Sequence, residues 1–431
     1  MMKLFIEPSY KDWSAIVARP SIDATSLQEK VNAIISEVKF NGDAAIKKLT
    51  LEFDKVLIDE IKVSSKIIAE SENLLTPGLK TAIALAKVNI ETFHKSQQQQ
   101  EARIETMPGV WCWRKSVGIE KVGIYIPGGS APLFSTVLML GIPAKMAGCK
   151  EIVLCTPPNE KGAIHPAILY AASIVGITSI YRVGGVQAIA AMANGTASIP
   201  KVHKIFGPGN QYVTAAKQII QQAGVAIDMP AGPSEVCVWA DENAQPSFVA
   251  ADLLSQAEHG PDSQVILVAK NVDIVDAIQR EIAAQLNDLP RKDIAAKVLE
   301  NSKAIILKKQ DQAIDLINAY APEHLILAIE NAVQIADKII NAGSVFIGSY
   351  SPESVGDYAS GTNHTLPTNG HAKAYSGVSL DSFVKKITFQ QLTERGLMNI
   401  APTVIEMADA EGLQAHSNAV KVRLNWIKSK L

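Results

Sequence analysis

The pattern of apolar and polar positions along the chain changes near residue 122. Residues 27–95 repeat Ala, Lys, Ile and Leu at helical spacing, as in LQEKVNAIISEV and LKTAIALAKVNIETF. From Val122 onwards, short β-branched stretches alternate with Ala-rich helical stretches. The predicted strands here are VGIYIP, EIVLCTPP, SIYRV, HKIFG and AIDMP. This alternation predicts βαβ units around a parallel sheet.

A second series of alternating strands and helices follows the sequence AGPS. Its predicted strands are EVCVWAD, SQVILVAK, KAIILKK and GSVFIG, with helices between them. Residues 345–380 are rich in Gly, Ser, Asn and Pro, and a loop this long inside a compact domain is usually functional or disordered. The pattern from Ser379 onwards predicts helices, including one over FVKKITFQQLTERG. We therefore expect a second sheet or a second lobe, followed by a small helical tail.

Composition narrows the class of partner. The 431 residues are 47% apolar and 19% charged, with a formal net charge of −2 and no dense basic run. We therefore expect a small-molecule partner, with no nucleic acid and no membrane. The N-terminal sequence lacks the apolar core of a signal peptide, so we expect a cytoplasmic protein. The four cysteines fit no zinc or redox spacing and are predicted to be buried free thiols.

The stretch SQAEHG ends a predicted helix and places Gln256 and His259 on one face, three residues apart. Such a pair is either a solvated or capping pair at a helix exit or half of a metal site. Further polar residues favour the metal, since Asp357 and His364 lie in a small-residue loop and AEGLQAH carries Glu411 and His416. Two imidazoles, an amide oxygen and a carboxylate suit a divalent ion such as zinc.

The sequence YAPEHL offers a second site. Pro322 predicts the start of a new turn, which places Glu323 and His324 at its beginning or at a loop edge. A glutamate there is favourable simply through the helix dipole. Alternatively, the adjacent carboxylate and imidazole are two proton carriers, one able to activate water and one able to shuttle protons near neutral pH.

Three glycine-rich loops, at residues 126–131, 182–188 and 206–210, each follow a predicted strand and precede a predicted helix. Ligands bind at this position in open α/β sheets. None of the loops matches GxGxxG, and no acidic residue lies about 20 positions downstream in the expected role. The loops alone therefore leave a nucleotide site and ordinary βα turns as alternatives.

Together these stretches resemble the histidinol dehydrogenase family over nearly the whole chain. The shared motifs are YIPGGSAPLFSTVLML, FGPGN, AIDMPAGPSE, LLSQAEHGPDSQVIL, PEHL, SPESVGDYASGTNH and HSNAV. The resemblance implies NAD-dependent four-electron oxidation of L-histidinol, through histidinal, to L-histidine. It also implies one Zn²⁺ per subunit and a homodimer in which the C-terminal tail completes the partner's site.

The resemblance also assigns roles to individual residues. The implied acid/base pair is Glu323 and His324. The implied zinc ligands are Gln256, His259, Asp357 and His416. The implied substrate contacts are Ser234, Gln256, His259, His324, Asp357, His364, Glu411 and His416. The implied NAD contacts are Tyr125, Gln187 and Asn210.

We expect an α/β fold of two incomplete Rossmann-like parallel-sheet lobes with small helical N- and C-terminal segments. The predicted domains are an N-terminal arm (1–26), a first lobe with the metal and catalytic residues (27–121 plus 235–378), an inserted NAD-binding lobe (122–234) and a helical tail (379–431). Two other classes of function are a zinc-dependent hydrolase or deaminase, and a non-catalytic bilobal protein that binds a small polar ligand. The number of NADH molecules formed per histidinol separates all three.

Overall fold

The computed structural model describes residues 1–19, 24–99, 101–128 and 131–430. Gly129 and Ser130, inside one of the three glycine-rich loops, therefore lie outside the described residues. The chain divides into two compact units, the first formed by Met1–Gln97 with Ile119–Phe383 and the second by Gln98–Gly118 with Val384–Leu431. The fold is mixed α/β, as predicted.

Strands and helices are numbered in chain order. The strands are β1 (Lys3–Ile6), β2 (Ile104–Met107), β3 (Val110–Gly118), β4 (Lys121–Tyr125), β5 (Glu151–Thr156), β6 (Ser179–Arg182), β7 (Lys204–Phe206), β8 (Ala226–Ile227), β9 (Glu235–Ala240), β10 (Gln264–Ala269), β11 (Lys303–Ile306), β12 (His324–Ala328), β13 (Ser344–Ile347) and β14 (Val384–Leu392). The α-helices are α1 (Trp13–Ile16), α2 (Ala24–Phe53), α3 (Ser65–Glu70), α4 (Pro77–Lys95), α5 (Phe134–Met146), α6 (Pro166–Val175), α7 (Gly185–Asn194), α8 (Gln211–Gln222), α9 (Pro246–Ala257), α10 (Val272–Leu286), α11 (Lys292–Asn301), α12 (Gln310–Tyr320), α13 (Ala332–Ala336), α14 (Glu353–Tyr358), α15 (Glu394–Ala410) and α16 (Gln414–Lys428).

The larger sheet of the first unit has the strand order β1-β11-β10-β9-β12-β13, and every neighbouring pair is parallel. Its central strands β9 and β10 are buried at every residue. Continuous burial of this kind is typical of parallel strands whose two faces are both covered by helices. Counted from β9, the five consecutive strands lie in the order third, second, first, fourth, fifth.

The smaller sheet has the strand order β6-β5-β4-β7-β8, again with parallel pairs throughout. Counted from β4, its strands follow the same third, second, first, fourth, fifth order. All five strands predicted between residues 122 and 230 are present, although β8 has only two residues. The prediction of two parallel-sheet lobes is therefore confirmed.

Helix α2 contributes to the core of the smaller lobe. Its buried Val31, Val38 and Ile46 belong to the same apolar cluster as Val186 and Ile189 of α7. The predicted boundaries assign residues 27–121 to the other lobe, whereas this helix packs beside α7 and α8. The division into domains stays a prediction. Helix α2 itself packs against the smaller lobe and brings its C-terminal end to the smaller sheet.

The second unit contains an antiparallel sheet of order β14-β3-β2 and the helices α15 and α16. The prediction of a helix over FVKKITFQQLTERG is wrong for residues 384–392, which form β14 and pair with β3 along its whole length. Phe389 stacks on Trp113 of β3 with ring centroids 5.4 Å apart. Cross-strand pairing of aromatic and β-branched residues therefore outweighs the local helical pattern.

Among the described residues, no helix combines the length and apolarity needed to cross a membrane. The four cysteines are free thiols, as predicted, and three of them are buried, while Cys112 is only partly buried. Burial raises the pKa of the Cys155 and Cys237 thiols. Such thiols are poor nucleophiles and metal ligands.

Candidate active site

The predicted helix exit at SQAEHG is the C-terminal end of α9. Gln256 lies in the last turn and is buried, Glu258 caps the helix, and His259 follows on an exposed position. Because the unpaired carbonyl groups at a helix C-terminus carry partial negative charge, this end favours a cation. The α9 end faces the amino ends of strands β9 and β12, as the contacts of Gln256 show.

Glu323 and His324 lie where the buried strand β12 begins. Of the two predicted positions, the new turn is wrong and the loop edge is confirmed, because Glu323 ends the loop before β12 and His324 is the first residue of this strand, which lies between β9 and β13. The apolar sequence LILA that follows favours a central strand. Glu323 and His324 are 6% and 3% exposed, and the backbone N–H of Glu235 donates to Glu323 Oε2 at 2.9 Å.

The imidazole of His324 is held by its Nδ1 atom. Nδ1 lies 3.1 Å from the carbonyl oxygen of Glu235, to which it donates, so Nε2 is the atom that gains or loses the second proton of the ring. Nε2 has no hydrogen-bond partner among the described residues and lies 3.5 Å from Asp357 Oδ1. Burial disfavours the charged ring and acts to lower the pKa of His324. The nearby carboxylates of Glu323, Glu353 and Asp357 outweigh burial and raise this pKa.

Helix α14 presents two carboxylates to this cluster. Glu353 and Asp357 are four residues apart and therefore share one face of the helix. Their carboxylate oxygens and a ring nitrogen of His259 all lie within 4.8 Å of one another. Glu353 is not among the predicted site residues, although its i, i+4 spacing from Asp357 in ESVGD is a usable signal.

The pKa values of the two carboxyl groups shift in opposite directions. Burial raises the pKa of Glu353 to about 8, although His324 opposes the shift. Burial also acts to raise the pKa of Asp357, but the imidazoles of His324, His364 and His259 outweigh it and lower the value. Asp357 is therefore the permanently ionised member of the pair at neutral pH.

The carboxamide of Gln256 lies between the Glu353 carboxylate and the backbone of Glu235. In one orientation its nitrogen donates to Glu353 Oε1 at 2.9 Å, and its oxygen accepts from the Glu235 backbone N–H at 3.2 Å. In the other, its nitrogen donates to the Glu235 carbonyl oxygen at 3.3 Å and its oxygen faces the Glu353 carboxylate. Two oxygens face each other favourably only when a proton or a cation lies between them.

The residues present fit a divalent cation. The cluster combines an imidazole, an amide oxygen and two carboxylates, a donor set suited to zinc and to related ions. Glu353 Oε2 and His324 Nε2 are buried without hydrogen-bond partners among the described residues. Three of the four predicted ligands, Gln256, His259 and Asp357, therefore belong to one network. Their role as ligands stays a prediction.

His364 supports the cluster from the side. Its Nδ1 donates to the backbone oxygen of Asp357 at 2.8 Å, and its Nε2 accepts from Thr136 Oγ1 of α5 at 3.1 Å. Both ring nitrogens therefore have protein partners, so the imidazole holds Asp357 next to the first turn of α5. Ser234 is half-buried immediately before β9. Their predicted contacts with substrate stay predictions.

The two predicted metal and substrate residues of the tail belong to the second unit. Glu411 caps the C-terminus of α15, and His416 lies in the first turn of α16. Both side chains are exposed.

A cavity of about 980 Å³ lies at the carboxyl ends of β4, β5 and β6, and Tyr125, Gln187 and Asn210 are among its lining residues. The hydroxyl of Tyr125 accepts a hydrogen bond from the Gly185 backbone N–H at 3.1 Å, and Asn210 caps α8 by accepting from two backbone N–H groups. A Cβ atom on Gly207 would overlap the Tyr125 carbonyl oxygen, so only glycine fits this turn. The volume and position suit a nucleotide.

Comparisons with known proteins agree over almost the entire chain. A family model described as histidinol dehydrogenase matches residues 17–424. The chain is 60% identical to a histidinol dehydrogenase of Bacteroides thetaiotaomicron over 428 residues, covering 99% of this chain and 100% of that protein. It is 53% identical to a chloroplastic histidinol dehydrogenase of Arabidopsis thaliana, covering 98% and 91% of the two chains. The structure superposes on that of histidinol dehydrogenase from Elizabethkingia anophelis with a TM-score of 0.97, 56% identity and 99% coverage of both chains. The chain therefore belongs to the histidinol dehydrogenase family.

Proposed function

We propose that the protein oxidises L-histidinol through histidinal to L-histidine, with two NAD⁺ reduced for each histidinol and one water consumed. The observation that carries this proposal is the buried Glu323–His324 pair beside a cluster of cation-binding side chains. Full-length identity to histidinol dehydrogenases supports the substrate and the reaction. The separate cavity in the smaller lobe, about 980 Å³, suits a second ligand of nucleotide size, which hydrolysis does not require.

His324 is the proposed base for the first oxidation. Its Nδ1 donates to the Glu235 carbonyl oxygen, which fixes the tautomer and orients Nε2 towards Asp357. A substrate hydroxyl held at this point passes its proton to Nε2 while hydride leaves the carbon atom that bears the hydroxyl. The fixed ring contributes by orientation, since it needs no rearrangement before proton transfer.

Glu323 is the proposed base for the second oxidation, in which water adds to the aldehyde. Burial raises the pKa of Glu323 to about 8, although His324 opposes this shift. A carboxylate with a raised pKa is a better proton acceptor than an exposed glutamate. The Glu235 N–H holds one of its oxygens, so the other is the one available to water.

The resident groups of the site would be zinc and NAD. Gln256, His259 and Asp357 would hold the ion together with the partner subunit's His416, and Glu353 lies against the same position. Tyr125, Gln187 and Asn210 would contact the nucleotide. When bound, the ion anchors the substrate and offsets the carboxylates around His324, and NAD⁺ accepts hydride.

We further propose a homodimer in which Glu411 and His416 complete the partner's site. The exposure of both side chains in the second unit is consistent with this role. His416→Asn should weaken Zn²⁺ binding in competition with a chromogenic chelator. Mixed dimers of a His416→Asn chain and a Gln256→Ala chain should regain part of the activity that each variant lacks alone. Absence of recovery in verified mixed dimers would reject the shared site.

The test of the reaction is the number of NADH molecules formed per histidinol consumed. The proposal requires two. A zinc hydrolase or deaminase would turn over a substrate without NAD, and a binding protein would bind histidinol without any turnover. A ratio of zero therefore rejects the proposed function.

A further inference from the structure

One carboxylate on the wall of the nucleotide cavity comes from outside the sheet that forms it. Asp54 directly follows α2, and its backbone N–H donates to the Thr50 carbonyl oxygen. It lines the cavity together with Tyr125 and Gln187. Its Oδ2 atom is buried and has no hydrogen-bond partner among the described residues. An acceptor is therefore available beside the nucleotide site.

The position of Asp54 is unfavourable for folding. A carboxylate at a helix C-terminus is repelled by the unpaired carbonyl groups there. Partial burial adds to this cost and raises the pKa of Asp54 to about 6. Among the described residues, no hydrogen bond or ion pair joins the buried Oδ2 of Asp54 to a cation, and burial is the only cause of its pKa shift. Unfavourable charges of this kind are concentrated at functional sites, where a ligand supplies the missing partner.

Among the described residues, none of those that line the cavity is a carboxylate at the end of the second strand, the position that nucleotide sites of doubly wound folds normally use. In doubly wound folds, a carboxylate at the end of the second strand accepts hydrogen bonds from the adenosine ribose hydroxyls of NAD. The corresponding strand here is β5, and it is followed by Pro157, Pro158, Asn159 and Glu160, of which Glu160 is exposed and is not among the residues that line the cavity. Pro157, Pro158 and Asn159 also line the cavity, so Asp54 and the end of β5 face the same space, and Asp54 lies close enough to Tyr125 of the neighbouring β4 to act on it electrostatically. Asp54, about 100 residues earlier in the chain, thus supplies the carboxylate that the end of β5 does not present to the cavity.

We propose that Asp54 accepts hydrogen bonds from the adenosine ribose hydroxyls of NAD⁺ and excludes cofactors with a 2′-phosphate. This inference rests on the proposed NAD-dependent function. A carboxylate pairs well with two vicinal hydroxyls, because it offers acceptors only. The same charge repels a phosphate, so one side chain both favours NAD⁺ and disfavours NADP⁺.

The decisive experiment compares Asp54→Asn and Asp54→Ala with the unmodified protein. Dissociation constants for NAD⁺, NADP⁺ and NAD⁺ with a 2′-deoxyadenosine half are measured by calorimetry, and KM is measured in the histidinol assay. Glu52→Gln is the matched control, because Glu52 lines the same cavity on an exposed position and loses the same charge. Thermal unfolding checks that each variant is folded.

We expect both Asp54 variants to bind NAD⁺ about 10- to 100-fold more weakly. Their preference for NAD⁺ over NADP⁺ should fall by at least about tenfold, since the repulsion is gone. The deoxy cofactor should bind the unmodified protein more weakly than NAD⁺ does and should lose less affinity than NAD⁺ in the variants, because only its 3′-hydroxyl can still donate to Asp54. Glu52→Gln should leave all three affinities within about twofold.

Three outcomes overturn the inference. These are unchanged NAD⁺ affinity in both Asp54 variants, an unchanged NAD⁺ to NADP⁺ ratio, and an equal change in Glu52→Gln. Each of them leaves the proposed function intact, provided that the unmodified protein still forms two NADH per histidinol. Failure of the unmodified protein to use NAD⁺ at all rejects the proposed function instead.

Discussion

The two lobes of the first unit share a strand order and use opposite edges of their sheets. In the smaller lobe the cavity lies at the carboxyl ends of the strands, beside the N-terminal ends of α7 and α8. In the larger lobe the candidate catalytic residues lie at the amino ends of β9 and β12, beside the C-terminal end of α9. Topology alone therefore does not determine which edge of a parallel sheet carries the chemistry.

The polarity of the helices explains the difference. Helix N-termini present N–H groups and partial positive charge, which suit the pyrophosphate of a dinucleotide. A helix C-terminus presents carbonyl groups and partial negative charge, which suit a cation. Each edge thus has the electrostatic character of the group proposed to bind there, an anion in the smaller lobe and a metal ion in the larger one.

The largest expected effect follows from removing the base at the amino edge of the larger sheet. His324→Asn should lower kcat for histidinol oxidation by about 100- to 10,000-fold. NAD⁺ affinity should stay within about twofold, because the nucleotide is assigned to the other lobe. Stopped-flow kinetics and calorimetry measure the two quantities. Parallel losses of kcat and NAD⁺ affinity would contradict the division between the lobes.

The next effect separates the two bases within that edge. Glu323→Gln should slow oxidation of histidinal by about 100-fold, since water activation is lost, while the histidinol step changes far less. Single-turnover experiments started from each substrate measure the two steps. Equal losses in both would contradict separate roles for Glu323 and His324.

The amino edge of the larger sheet was the harder part to foresee from the sequence. Periodicity predicted the strands of both sheets, and α9 ends at Ala257, three residues before the stop predicted at Gly260 and Pro261. The pattern around Pro322 indicated a turn, whereas Glu323 and His324 are fixed by backbone groups of Glu235, 88 and 89 residues away. Local signals do not report such contacts.

Acidic residues were missed for a related reason. Glu353 is buried through contacts with α9, and Asp54 reaches its cavity because α2 packs on α7 and α8. The i, i+4 spacing of Glu353 from Asp357 indicates a shared helix face but not the contact with α9, and Asp54 has no fixed spacing to the residues that it joins. In the tail, β14 was predicted as helix because its partner strand β3 lies about 270 residues earlier, in a region for which no strand was predicted. Long-range packing therefore determines the burial of Glu353, the location of Asp54 and the strand conformation of β14.

A smaller effect is expected at the carboxyl edge of the smaller sheet. Tyr125→Phe removes the acceptor of the Gly185 N–H and loosens the turn between β6 and α7. The loss of one hydrogen bond, about 1 kcal/mol, should raise KM for NAD⁺ by about fivefold. The kcat at saturating NAD⁺ should be nearly unchanged. A large fall in kcat with unchanged KM would instead place Tyr125 at the reacting atoms.

The smallest effect is expected at the unused edge of the larger sheet. Asp241 follows β9 at the end opposite to Glu235, and its carboxylate accepts hydrogen bonds from the backbone N–H groups of Asn243 and Glu330. Asp241→Asn should lower the free energy of unfolding by about 1 kcal/mol or less, because an amide oxygen still accepts one of these bonds. Steady-state kinetics should show unchanged kcat and KM for histidinol. A substantial loss of kcat in a fully folded variant would show that the carboxyl edge takes part in the reaction, and the contrast between the two lobes would then fail.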